Sequence, residues 1–178
     1  MEPTNSKTKI LWITRTGMMI ALLIAGQAAS APIGNQLITG SIVNFVLFSS
    51  AMIFGWKSGI TVGILSPLFA AIFGIAPPFP IIIPFIAAGN AVQVIVWNIA
   101  VNKSNNIRRQ FISVVLASVA KFAVLYGGII MFVAPILLGL PPASPIYWAF
   151  SFPQLITALI GGTAALGLLR CLPANQYT

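Results

Sequence analysis

The sequence predicts an all-α integral membrane protein: a six-transmembrane-helix bundle with its N and C termini cytoplasmic. Three observations predict it. Hydrophobic residues make up 58% of the 178 and charged residues only 6%, where soluble domains carry roughly a quarter charged residues, and the mean hydropathy is +1.01. The apolar residues fall into six runs, at 10–31, 37–55, 58–76, 81–101, 111–140 and 146–169, all but the longer fifth near the ~20 residues that cross a hydrocarbon layer of about 30 Å. The basic residues gather in alternate connections between those runs.

The runs are read as helices because an open sheet leaves its edges without hydrogen-bond partners in lipid. Run 1 follows Lys7 and Lys9 and contains Arg15. It is expected to stay as a span rather than to be cleaved as a leader, because it is long and five more spans follow. Run 5 is long enough to include an external end or a break near Pro135. Pro and Gly mark the turns at Ala31-Pro32-Ile33-Gly34, Ala76-Pro77-Pro78-Phe79-Pro80 and Leu140-Pro141-Pro142. The whole chain, 1–178, is expected to form a single six-helix membrane domain.

With six spans the connections alternate sides. Lys7, Lys9, Arg15, Lys57, Lys103, Arg108, Arg109 and Arg170 then all fall on one side, and the opposite connections hold no Lys or Arg. The positive-inside rule makes the basic side cytoplasmic. The net charge of +8 is therefore a topology signal, and no nucleic-acid partner is expected.

What is missing limits the chemistry. There is no His, one Cys (Cys171) and one acidic residue, Glu2, so neither a carboxylate pair nor a zinc site can be built. No G-x-x-x-x-G-K-[ST] phosphate loop occurs. No enzyme activity, cofactor or metal is expected, and active transport would have to draw its energy from elsewhere.

Lys121 is the one basic residue away from the basic side. A helix entering at Phe111 and rising about 1.5 Å per residue places it about 15 Å deep, close to the midplane. A charge there costs at least ~2.5 kcal/mol, so it should face a cavity and a partner. Since the chain has no carboxylate within reach, an anionic ligand group is the expected partner. The alternatives are a neutral Lys121 with no counter-charge, or a lysine that snorkels or bonds backbone carbonyls and stabilises an outer-half cavity.

Other polar side chains recur at helical spacing. Asn90, Gln93 and Trp97 share one face of run 4, and Gln154, Thr157 and Gly161 one face of run 6. Asn44, Tyr126, Asn35 and Gln36 complete a candidate polar lining. The substrate-binding candidates are thus Asn35, Asn44, Asn90, Lys121, Tyr126 and Gln154. In run 1, Gly17, Ala21, Ala25 and Ala29 form a stripe of small residues, which allows another membrane helix to approach closely.

The segment Ala21-Leu-Leu-Ile-Ala25, the run Pro80-Ile-Ile-Ile-Pro-Phe-Ile-Ala-Ala-Gly-Asn90, the segment Lys121-Phe-Ala-Val-Leu-Tyr126 and the ending Gln154-Leu-Ile-Thr-Ala-Leu-Ile-Gly-Gly162, in a chain of six short helices, together resemble the substrate-capture (S) component of an energy-coupling factor (ECF) transporter. The resemblance implies capture of a vitamin-like solute at the outer face of a prokaryotic plasma membrane. It implies import together with a transmembrane coupling subunit and two cytoplasmic ATPases, which alone would hydrolyse ATP. It places Ala21 and Ala25 against the coupling subunit, and the ligand among helices 4, 5 and 6 under the loop after helix 1, near Asn90, Lys121, Tyr126, Gln154 and Asn35. Lys121 favours a carboxylate-bearing vitamin, with pantothenate, nicotinate, biotin and lipoate as examples, and a neutral ligand held by the amides stays open. The competing class is a self-contained carrier or channel, which would ordinarily need internal repeats or an oligomer to form a path; no such repeat is visible in the halves of this chain.

Overall fold

The computed structural model describes residues 6–74, 78–102 and 104–172, so Glu2, Lys103 and the 75–77 part of the second outer connection lie outside the described residues. Among the described residues there is no strand. The helices are α1 (Ser6–Ser30), α2 (Gln36–Phe54), α3 (Trp56–Ile72), α4 (Ile83–Val101), α5 (Ile107–Leu125), the short α6 (Pro145–Ala149) and α7 (Phe152–Cys171). Short 3₁₀ turns at Ala31–Ile33 and Pro80–Ile82 lead into α2 and α4, and a wide π-type segment, Tyr126–Leu137, extends α5. Five of the helical stretches are long and apolar enough to cross a membrane. The 17 residues of α3 stand at the lower limit for a span.

Local chemistry explains the joints. Gly34 takes φ 66° to close the first 3₁₀ turn, and Asn35 then caps α2, its Oδ1 accepting from Leu37 N–H at 2.9 Å. Gly55, at φ 88°, is the single residue between α2 and α3, in a conformation open to glycine at little cost. Asn106 caps α5 in the same way as Asn35, accepting from Arg108 N–H at 2.9 Å.

Two of the expected runs differ in detail. Run 5 changes character at Tyr126 rather than at Pro135, passing into the π segment, where Leu138 N–H reaches back five residues to Val133 O at 3.0 Å. Gly127 and Gly128 follow the change, and the Phe85 ring lies where a side chain on Gly128 would stand. Run 6 is split at Phe150–Ser151 into α6 and α7. Pro153 is responsible: it has no N–H to return to the carbonyl four residues earlier, that of Ala149.

In cross-section, α2, α7, α5, α4 and α3 close a ring, each packed against the next and α3 returning to α2, while α1 lies across α2 and α3. The α2–α7 seam is close. Gly161 sits against the α2 backbone, where a Cβ would stand 2.7 Å from Ser41 O, and one on Gly40 would stand 2.9 Å from the Thr157 methyl. Two apolar cores fill the ring at different levels. One, near the basic ends, includes Leu23, Leu47, Phe48, Val62, Val94, Trp97, Val114 and Ala117. The other, beneath the opposite end, includes Ile82, Leu125, Ile129, Val133, Ile146 and Phe150. Helix α5 shows what lies between them, because its inward stripe reads Val114, Ala117, Lys121, Leu125.

Candidate functional site

A cavity of about 130 Å³ occupies this intermediate level. Its walls come from the last turns of α1 and α3, the first turns of α2, α4 and α7, and Lys121 of α5, so it lies toward the end of the bundle opposite the basic residues. Its polar lining is Gln27, Gln36, Thr39, Asn44, Ser66, Asn90, Lys121 and Gln154; Pro67, Ile86 and Phe150 are among its apolar walls. The volume lies below the ~300 Å³ at which pockets for drug-sized ligands begin.

Lys121 is 3% exposed. Its Nζ donates to Asn44 Oδ1 at 2.7 Å. Asn44 is itself held, because its Nδ2 donates to Gly40 O at 2.8 Å and to Thr157 Oγ1 at 3.3 Å. Thr157 Oγ1 in turn donates to Gln154 O at 3.2 Å. This chain of bonds fixes the lysine across α5, α2 and α7. It does not neutralise it: an amide oxygen supplies one acceptor and no charge. No Asp or Glu occurs among the described residues, so an ammonium at this site has no ion-pair partner there, and its remaining donors are unspent.

Two prolines aim the amides of the cavity. Pro67, within α3, cannot donate to the carbonyl four residues back, that of Gly63. Asn90 of α4 fills the gap, its Nδ2 donating to Gly63 O at 3.0 Å. The approach is close because Gly63 has no side chain: a Cβ there would stand 3.1 Å from that of Asn90. Pro153 frees Ala149 O in the same manner, and Gln154 Nε2 takes it at 2.9 Å. In both residues the nitrogen faces a carbonyl, which settles which end of the amide is oxygen. Asn90, 1% exposed, is left with an unpartnered Oδ1, and Gln154 Oε1 accepts no bond from the described residues. Gln27 Oε1 is a further buried acceptor without a donor.

The expected site residues divide. The structure brings Asn44, Asn90, Lys121 and Gln154 to one cavity. It does not bring Asn35 or Tyr126 there. Asn35 is exposed and its side chain is committed to capping α2; Tyr126 is 36% exposed and packs at a 38° tilt against Phe122, 5.4 Å between ring centroids, at the start of the π segment. Gln27, Ser66 and Pro67 were not among the expected residues. A signal for Gln27 lies in α1, whose buried residues Thr16, Met19, Leu23, Gln27 and Ser30 follow helical spacing. Gln93, a turn below Asn90, is fully buried with both ends of its amide unpartnered, yet it does not line the cavity. The small stripe of α1, Gly17, Ala21, Ala25 and Ala29, is exposed on the outside of the bundle.

Fold and site together define a class: an all-α membrane bundle enclosing a small polar chamber around a buried lysine, with no cluster of His, Cys, Asp or Glu among the described residues to hold a metal. The family model for the substrate-specific component of ECF transporters matches residues 12–172. The chain belongs to that family, which is a transport family, and its members take a small-molecule substrate and work with the other parts of an ECF transporter. No curated protein and no solved structure matches it.

Proposed function

We propose that this chain captures a small organic anion, vitamin-like in size, at the outer face of a prokaryotic plasma membrane and delivers it as the S component of an ECF-type importer. The single observation that carries the anion is the Lys121 side chain, which this reading takes as an ammonium. It is buried and held by Asn44, and no carboxylate among the described residues balances it. A lone charge at this depth is costly, and a ligand carboxylate removes that cost on binding. Asn44 serves in this reading to hold Lys121 in place, and Asn90 and Gln154 contact the rest of the solute. Asn35 and Tyr126 lie toward the cavity end, outside its lining, and in this reading act at its mouth.

The topology follows the charges. Lys7, Lys9, Arg15, Lys57, Arg108, Arg109 and Arg170 lie at the end away from the cavity, so the positive-inside rule puts both termini in the cytoplasm and the cavity toward the exterior. One membrane domain of six spans accommodates this, with α6 and the π segment roofing the outer end. Energy comes from two separate cytoplasmic ATPases through a transmembrane coupling subunit. Ala21 and Ala25 give that subunit a close approach, since small side chains let helix backbones meet in lipid.

The experiment has two arms. Mass spectrometry of small molecules that copurify with the chain should find an acid, and a cation would overturn the reading. Uptake in cells should require coexpressed coupling and ATPase subunits. Transport by the purified chain alone in liposomes would favour a self-contained carrier.

A further inference from the structure

The capture of an anion leaves the far side of the chamber unexplained. Among the residues that line the chamber with Lys121 are amide oxygens that lack a donor: Asn90 Oδ1 and Gln27 Oε1 are buried and unpartnered, and Gln154 Oε1 accepts no bond from the described residues. Two of these are not free to turn. The Asn90 nitrogen is committed to the carbonyl that Pro67 leaves open, and the Gln154 nitrogen to the one that Pro153 leaves open. A rotation that presented nitrogen to the chamber would strand both the amide oxygen and a backbone carbonyl, each at the cost of an unmet buried group. Asn90 of α4 and Gln154 of α7 are therefore set by construction as acceptors in the lining that Lys121 shares.

Resting on the proposed anion capture, we infer that the ligand is a small carboxylate that also carries at least two hydrogen-bond donors, hydroxyl or amide N–H, at positions away from the carboxylate. The carboxylate takes Lys121; the donors meet Asn90 Oδ1 and Gln154 Oε1. A plain fatty acid or an acid of an aromatic ring without N–H or O–H answers only the lysine and leaves the acceptors bare. Sites whose buried polar groups are built for a hydroxyl reject analogues lacking it far more strongly than apolar pockets reject a missing methylene.

The test counts donors. The copurified molecule is exchanged into D₂O and its mass shift read; at least two exchangeable hydrogens besides the carboxyl proton are expected. In parallel, equilibrium binding to the purified chain is measured for butanoate, 4-hydroxybutanoate, 3,4-dihydroxybutanoate and 3,4-dihydroxybutanamide. The dihydroxy acid should bind at least tenfold more tightly than butanoate. That advantage should shrink in Gln154→Leu, and in Asn90→Leu made together with Pro67→Ala so that Gly63 O regains a backbone donor. Acids that all bind alike yet all weaken in Lys121→Met overturn this inference and leave anion capture standing. An amide that binds as well as its acid overturns anion capture itself. A copurified acid with no further exchangeable hydrogen, or a series in which no acid binds, overturns the inference.

Discussion

If Asn90 stands in for the N–H that Pro67 lacks, then replacing Asn90 must be harmful only while the proline is present. Asn90→Leu keeps the side-chain volume while removing the donor from Gly63 O. That carbonyl lies on a buried residue of α3, 3.0 Å from the lost nitrogen, and no water is expected to reach it. A buried acceptor left unmet costs roughly 1–3 kcal/mol, whereas side-chain hydrogen bonds within membrane bundles average about 0.6 kcal/mol. Removal of the amide also relieves the unpartnered Oδ1, so the net loss for Asn90→Leu should fall near 1 kcal/mol. Pro67→Ala alone restores a backbone donor and should be close to neutral. In the double variant the restored N–H serves Gly63 O, and most of the loss should disappear, a coupling of about 1 kcal/mol between residues 23 positions apart in sequence. Reversible unfolding in mixed detergent micelles, analysed as a double-mutant cycle, measures it. Additive effects, with Asn90→Leu equally costly in both backgrounds, would refute the reasoning.

Other consequences are open to the same kind of measurement. Asn44→Asp places a carboxylate 2.7 Å from Lys121 Nζ in the position of the present amide oxygen, and sets its other oxygen against Gly40 O, where the amide nitrogen now donates at 2.8 Å; it should lower stability somewhat and weaken anion binding by the folded chain at least tenfold, and unchanged affinity would count against the ligand supplying the counter-charge. Gly161→Ala drives a Cβ to 2.7 Å from Ser41 O, a backbone atom that cannot swing aside, and should lower unfolding stability by about 1–3 kcal/mol, where a neutral effect would mean that the α2–α7 seam is looser than described. Ala21→Leu with Ala25→Leu alters only the outer face of α1, so it should retain stability in detergent and lose copurification with the coupling subunit; retained copurification would move the docking surface elsewhere.

The helices were legible because lipid imposes two simple demands, an apolar length and an internal partner for each backbone group. Those demands are local, so Pro and Gly at Pro32, Gly34 and Gly55 mark the joints directly. The π segment was less legible. Its start depends on how Gly127 and Gly128 meet Phe85 of α4, a contact that no spacing rule contains. In the site, Lys121 stood out because a mid-depth charge is expensive, and Asn44, Asn90 and Gln154 because amides are rare in such spans. Asn35 and Tyr126 were drawn in by polarity and by the resemblance, neither of which shows that one caps α2 and the other packs at a tilt against Phe122. The proline–amide pairs were half visible. Each proline declares which carbonyl it frees, but Gly63 finds its donor 27 residues away on a neighbouring helix. Pro153 and Gln154 are adjacent, and there the pairing could have been read from the chain.

The central claim is that a buried lysine without a counter-charge receives it from the captured solute. The most direct measurement is the equilibrium affinity of the purified chain and of Lys121→Met for the copurified molecule, at the same pH and salt. The account predicts at least a tenfold weaker affinity for the variant, about 1.4 kcal/mol. Equal affinity in a variant that folds would contradict it.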